Sequence, residues 1–99
     1  PSYISHVRHT RRAEAIEHLL SAQLRQEEFR VTAGNYSSNM ADLGGATTDL
    51  YNYAVAVSGN SYTLSASAAT GKSQAQDSGC TAFTLNSQGD KTPLACWQQ

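Results

Sequence analysis

From Ser2 to about Arg30 the chain has no glycine or proline and is dense in strong helix formers such as Arg11, Arg12, Ala13, Glu14, Ala15, Leu19, Leu20, Ala22 and Leu24. A run of that length without a breaker predicts one helix of about eight turns. At about 100° per residue, Ala13, Ile16, Leu20, Leu24 and Val31 fall on one face, with Glu27 on the same line and Leu19 at its margin. That face is expected to pack on something. Ile4 and Val7 point roughly half a turn away, among His6, Arg8, His9 and Arg11, so the first three turns have no apolar partner within the main stripe. The helix is therefore expected to protrude at its N-terminus and to offer those apolar residues to neighbouring subunits. A helix that opens at Pro1, with no initiator Met or signal peptide, reads as a processed or trimmed part of a longer product.

The rest of the chain is strand-like. Gly34-Asn35 supplies a helix stop, and residues 31–50 read as a connecting loop with Gly44-Gly45 and many small polar residues. Tyr51, Tyr53, Val55 and Val57 alternate with Asn52, Ala54 and Ala56, and Tyr62, Leu64, Ala66 and Ala68 alternate with Thr63, Ser65 and Ser67. Two such runs about Ser58-Gly59-Asn60-Ser61 predict a β-hairpin. Residues 70–79 read as polar and flexible. Cys80 to Asn86 reads as a third strand through Thr81, Phe83 and Leu85, Gln88-Gly89-Asp90 as a turn, and the remaining residues as a short fourth strand or a loop pinned by Cys96. The expected architecture is α+β: one long helix on an antiparallel sheet of three to four strands, in one domain covering 1–99, with helix 1–30, loop 31–50, sheet 51–87 and a C-terminal loop 80–96.

Ninety-nine residues support a single modest core but not a core and a deep catalytic cleft. Charged residues are 15% of the chain, against roughly 25% in an average soluble domain, and Ser, Thr, Asn, Gln and Gly fill the difference, as suits an exported protein. Residues 1–30 carry five arginines against four glutamates, and residues 31–99 two lysines against four aspartates. Neither part has the strongly basic surface of a non-specific phosphate binder. Cys80 and Cys96 favour one disulfide, whose loop closure contributes about 3 kcal/mol in the chain-entropy model; the alternative is two buried free thiols. No run of 18 apolar residues occurs.

Motifs that carry chemistry are sparse. His6 and His9 have i, i+3 spacing, but no Cys or carboxylate completes a ligand set nearby, so solvated histidines are expected and no metal or cofactor. No nucleophile elbow, metal-hydrolase helix or helix-opening Gly-rich loop is present, and no enzyme activity or small-molecule substrate is expected. Asn35-Tyr36-Ser37 has the form of a glycosylation acceptor and reads as loop. Tyr51, Tyr53 and Tyr62 are expected in the core rather than as stacking platforms. The segment between the cysteines, tipped by Asp90-Lys91-Thr92-Pro93, is the candidate partner-facing loop, with Gln88, Asp90, Lys91, Thr92 and Trp97 as its residues, alongside the loop from Thr32 to Asp49.

Several segments together resemble the globular part of a type IV pilin. They are Pro1-Ser2-Tyr3 with the long helix after it, Ala22-Gln23 to Phe29 and Tyr36, Tyr62-Thr63-Leu64-Ser65-Ala66, Cys80-Thr81 to Phe83-Thr84-Leu85-Asn86 and Gly89, and Cys96-Trp97. The nearest branch is the minor-pilin-like group of Gram-negative bacteria that includes the DNA-uptake receptor pilin. The resemblance spans the chain. It implies a pilin-like roll, a prepilin leader removed by a peptidase, and an apolar helical segment, not in this sequence, that anchors the subunit in the inner membrane before assembly and in the filament core afterwards. On this basis Pro1 matches the family's helix-kink proline, Cys80 and Cys96 bound its disulfide-bonded C-terminal region, and Ile4, Val7, Arg8 and Arg11 are the candidate filament interface. The implied function is a structural subunit, minor or major, of a surface filament serving adhesion, twitching motility or assembly priming, with other pilin subunits as partners and no catalysis. DNA, through Arg8, Arg11, Arg12 and Lys91, is the alternative partner, disfavoured because DNA-receptor members carry more basic surface and a second disulfide. A type II secretion pseudopilin is a further alternative, though those usually lack this cysteine loop.

Overall fold

The computed structural model describes residues 2–97. Helix α1 (Ser2–Ala33) runs three residues beyond the expected end and stops where Gly34 takes a φ of 84°, its N–H closing on Arg30 O. Thirty-two residues at about 1.5 Å each give about 48 Å, and the long dimension of the molecule is 48 Å. The helix therefore sets the length of the protein.

Four antiparallel strands come next, in simple sequence order: β1 (Tyr51–Ser58), β2 (Ser61–Ala68), β3 (Ala82–Asn86) and β4 (Lys91–Thr92). The hairpin has the expected register, with Val57 opposite Tyr62 and Tyr53 opposite Ala66. Its two-residue turn is made by Gly59, whose φ of 59° suits the first central position of a primed turn, and Asn60. Both expectations for the C-terminus are met in part: β4 is two residues long, and a single helical turn, α2 (Leu94–Trp97), carries Cys96 to its disulfide partner Cys80.

One face of the sheet is covered by α1. Tyr51, Tyr53, Tyr62, Leu64, Phe83 and Leu85 alternate inward and meet Ala15, Ile16, Leu19 and Ala22. The core stripe of the helix differs from the expected one. Ile16 and Leu19 are buried, but Leu20, Leu24 and Val31 are exposed on the far side, Leu24 at 62% and Val31 at 87%. Small residues explain the choice: Ala15 and Ala22 let the helix backbone approach the tyrosine-rich sheet closely, and Leu19 fills the space between them. The same sheet-facing line continues with Gln26, which is fully buried because it pairs like a backbone amide with Ser37, donating from Nε2 to Ser37 O (2.9 Å) and accepting at Oε1 from Ser37 N (2.8 Å).

The connecting loop is ordered around that pair. Asn39 caps a 3₁₀ turn at Met40–Leu43 by accepting from Ala41 N, and Met40 and Leu43 enter the core. Segment 46–53 then folds back on itself, with Tyr53 N donating to Ala46 O and Thr48 N to Tyr51 O. Residues 70–79, expected to be flexible, instead hold a second 3₁₀ turn (Ser73–Gln76) whose Gln74 is fully buried. A polar residue reads as surface when the partners that bury it lie far away in sequence.

The two faces of α1 make opposite predictions for stability. Leu19→Ala is expected to cost about 3 kcal/mol in urea denaturation, as for a fully buried leucine, and Leu24→Ala within about 0.5 kcal/mol, as for an exposed site. Equal losses would contradict the assigned packing face.

Candidate filament and partner surfaces

Three surfaces draw on residues expected to carry function. The first is the upper part of α1. Ile4 is 43% exposed, Arg11 is exposed, and Val7 and Arg8 are half-buried. The helix protrudes for less of its length than expected, because the 3₁₀ turn at Ser73–Gln76 reaches it: Gln74 Nε2 donates to Arg8 O (3.1 Å) and to the Tyr51 hydroxyl (2.9 Å). Beside this clasp Arg12 Nη1 lies 3.5 Å from Asp77 Oδ2, both side chains largely covered. Arg8 Nε and Arg12 Nε are buried without an acceptor among the described residues. Below Val7 and Arg11 an open cleft of about 370 Å³ runs between α1 and β1, bordered by Glu14, His18, Asp49 and Tyr53. His18 stacks on Tyr53 with ring centroids 3.8 Å apart and donates from Nε2 to Gly45 O (3.1 Å).

The second surface is not one that the sequence assigns to partners. On the helix side remote from the sheet, Ala13, Leu20, Leu24 and Val31 share a line that Glu17, Glu27 and Glu28 flank within about 60°. Leu20, Leu24 and Val31 are increasingly exposed along this line, at 39%, 62% and 87%, and the glutamates have no cationic partner among the described residues. Glu27 accepts from the Tyr62 hydroxyl (3.2 Å). Burial raises the Tyr62 phenol pKa first, and the neighbouring Glu27 carboxylate raises it further by its charge and by accepting the proton's hydrogen bond. Burial likewise raises Tyr51 and Tyr53. All three phenols therefore stay neutral inside the fold, Tyr62 donating to Glu27 and Tyr51 accepting from Gln74, consistent with their expected place in the core.

The third surface is the C-terminal loop. Asn86 Oδ1 accepts from Gln88 N (2.9 Å) and Asp90 N (3.0 Å), and its amide donates to Asp90 Oδ2, which fixes the turn before β4. Gln88, Asp90, Lys91 and Thr92 are exposed there. Trp97 is not a partner-facing residue of this loop as expected: it is 9% exposed, its ring packs edge-on against Phe83 at 5.9 Å, and Nε1 donates to Thr92 O. Lys91 lies over the tryptophan ring, 5.7 Å from its centroid. The disulfide and the tryptophan thus hold the loop on the core while its polar rim stays outside.

His6 and His9 do not gather other ligands: among the described residues no group of three or more His, Cys, Asp or Glu converges. His9 Nδ1 instead lies 3.3 Å from Arg12 Nη2. No helix among the described residues is long and apolar enough to cross a membrane.

The family model described as "Type IV minor pilin ComP, DNA uptake sequence receptor" matches residues 1–84. The chain belongs to this family of type IV minor pilins. Two solved structures share the fold of this pilin. A type IV pilin from Shewanella oneidensis superposes with a TM-score of 0.73 over 93% of this chain and 99% of that one, at 19% identity. The non-core minor pilin PilV of Neisseria meningitidis superposes with a TM-score of 0.68 over 89% of this chain and 87% of that one, at 24% identity. No curated protein matches the pilin significantly by sequence. The pilin is thus a structural subunit of a type IV pilus, a filament of the cell surface built from pilin subunits, and its family and fold are those of structural proteins rather than enzymes.

Proposed function

We propose that this pilin is retained in the filament by two parts of α1: the uncovered stripe Leu20, Leu24 and Val31, and the N-terminal patch Ile4, Val7, Arg8 and Arg11. The observation that carries the reading is the stripe. A small, highly polar domain that leaves two leucines and a valine in line on its longest helix has an apolar face its own sheet does not use. Subunits associate non-covalently through that face after leaving an inner-membrane pool, and the filament serves adhesion, twitching motility or assembly priming. The rim of the C-terminal loop, Gln88, Asp90, Lys91 and Thr92, faces outward to whatever the pilus contacts.

The double variant Leu20→Asp/Leu24→Asp, made in the full-length protein, is expected to leave the domain folded by circular dichroism and to reduce its recovery in sheared filaments at least about tenfold, a loss of ~1.4 kcal/mol or more in the assembly contact. Recovery equal to the unsubstituted protein would overturn the role of the stripe.

A second reading, DNA capture, is favoured by one observation, the match to a family described as a DNA uptake sequence receptor. The local electrostatics oppose it. Arg12 is taken by Asp77, Arg11 pairs with Glu14 (3.3 Å), and Lys91 sits over Trp97, so of the four candidate DNA contacts Arg8, Arg11, Arg12 and Lys91 only Arg8 is left without an acidic or aromatic partner among the described residues. The purified domain is expected to give no gel shift with duplex DNA at low salt, where phosphate contacts are strongest. A strong, sequence-selective and salt-sensitive shift would instead establish the DNA reading.

A further inference from the structure

The two edges of the sheet are protected very differently. β4 forms one edge and is guarded in the usual ways: it is short, it carries Lys91 and Pro93 follows at once. β1 forms the other edge. Because the hairpin turn has two residues, Ser58 and Ser61 are a hydrogen-bonded pair; by alternation Asn52, Ala54 and Ala56 also bond to β2, and Tyr51, Tyr53, Val55 and Val57 turn their N–H and C=O groups outward. The bonds from Tyr53 N to Ala46 O and from Thr48 N to Tyr51 O agree with this, and they cover the start of the edge. Beyond Tyr53 the edge is open: the outward N–H and C=O groups of Val55 and Val57 have no hydrogen-bond partner among the described residues. Residues 54–58 are Ala, Val, Ala, Val and Ser, with no charge, proline or bulge to deter a second strand. A row of alternating backbone donors and acceptors is matched by the backbone of another extended chain.

We propose that the open edge of β1 is a docking site for the same edge of a second copy of this chain, the two strands running antiparallel about Ala56. The open stretch itself selects this partner. It is bounded by Ala46 beside Tyr53 at one end and by the turn after Ser58 at the other, so it is symmetrical about Ala56. A twofold pairing centred there sets Val55 opposite Val57 of the other copy, and every outward N–H and C=O of both valines gains a bond. A pairing centred on Val55 would instead call on Tyr53 N, which Ala46 already holds. On the outer face small side chains meet: Ala56 faces Ala56 and Ala54 faces Ser58, all of them exposed in the single chain. On the inner face Val55 and Val57, half-buried at the rim of the core, gain cover. The contact has about five residues a side against roughly 20–30 in a stable interface, so its Kd is on the order of 1 mM. Symmetry also fixes where it forms. The twofold axis of such a pair stands perpendicular to the sheet, and α1 lies along the face of the sheet, so the two helices run in opposite directions. Copies repeated in one filament all point the same way. The pairing therefore joins copies in different filaments, side by side and antiparallel; this placement rests on the filament reading above, and the pairing itself does not.

The 99-residue chain in solution tests the pairing. Between about 0.05 and about 2 mM, a range that spans such a Kd, the amide NMR signals of Val55 and Val57 are expected to shift with concentration. Ala56→Lys and Ala56→Glu, exposed substitutions that set like charges opposite each other, are each expected to abolish the shift, and an equimolar mixture of the two to bind at least about tenfold more tightly than either alone. Valine signals that do not move, or a mixture no better than its components, would overturn the pairing. The placement is tested with Ala56→Cys in two differently tagged full-length proteins made in separate cultures, since the native cysteines are both in the disulfide. Pili from the two cultures, mixed and oxidised, are expected to give crosslinked dimers carrying both tags. Dimers that never carry both would overturn the placement. If the unsubstituted protein is absent from pili, the filament reading falls and takes the placement with it, while the titration still decides the pairing.

Discussion

The contact between α1 and the inner face of the sheet is the constraint on which the rest of this pilin depends. It is built from modest parts: Ala15 and Ala22 let the helix come close, Leu19 fills the gap, and Tyr51, Tyr53, Leu64, Phe83 and Leu85 present a continuous apolar floor. Burying each large side chain contributes about 1.5–3 kcal/mol, so losing even one or two of them removes a large share of the roughly 5–15 kcal/mol net stability of a small domain. Using small residues on the sheet side has a second effect. It leaves the larger residues Leu20, Leu24 and Val31 for the opposite side, where they cannot serve this core.

Polar side chains then fix the pieces that the thin core cannot hold. Gln26 captures the start of the connecting loop at Ser37, and Gln74 captures the segment after the hairpin by bonding Arg8 O and the Tyr51 hydroxyl. Both glutamines are fully buried, so losing either partner would strand amide groups in the interior, a cost of about 1–3 kcal/mol for each unsatisfied group. At the C-terminus the Cys80–Cys96 bond and Trp97 against Phe83 play the same part for the last loop. The domain is consequently a helix with three tethered loops, each presenting a polar rim while anchored by one or two buried groups.

Much of this is legible in the sequence, for definite reasons. The breaker-free run to Arg30 and the strict alternation on both sides of Gly59-Asn60 encode the helix and the hairpin directly, because each depends on local periodicity. The helix face is misread from sequence because periodicity weighs apolar size, and the bulkiest stripe of this helix is the one its own chain leaves bare. A subunit with two apolar helix faces offers two solutions, and only the position of the sheet chooses between them. Gln26 and Gln74 are invisible as core residues, since their burial depends on partners 11 to 66 positions away. Trp97 is grouped in the sequence with the polar, partner-facing loop between the cysteines, whereas next to the disulfide its ring packs on Phe83.

This domain is a filament component, and the working surface proposed for it is the helix that its fold leaves half covered. Immunogold electron microscopy of cells producing the full-length protein, with an antibody raised against residues 2–97, tests its place in the filament most directly. Gold along the pili, or sparsely on them, is the predicted result, and the density of label separates an abundant subunit from a rare one. Pili that are present but carry no label, with all gold confined to the cell body, would contradict it.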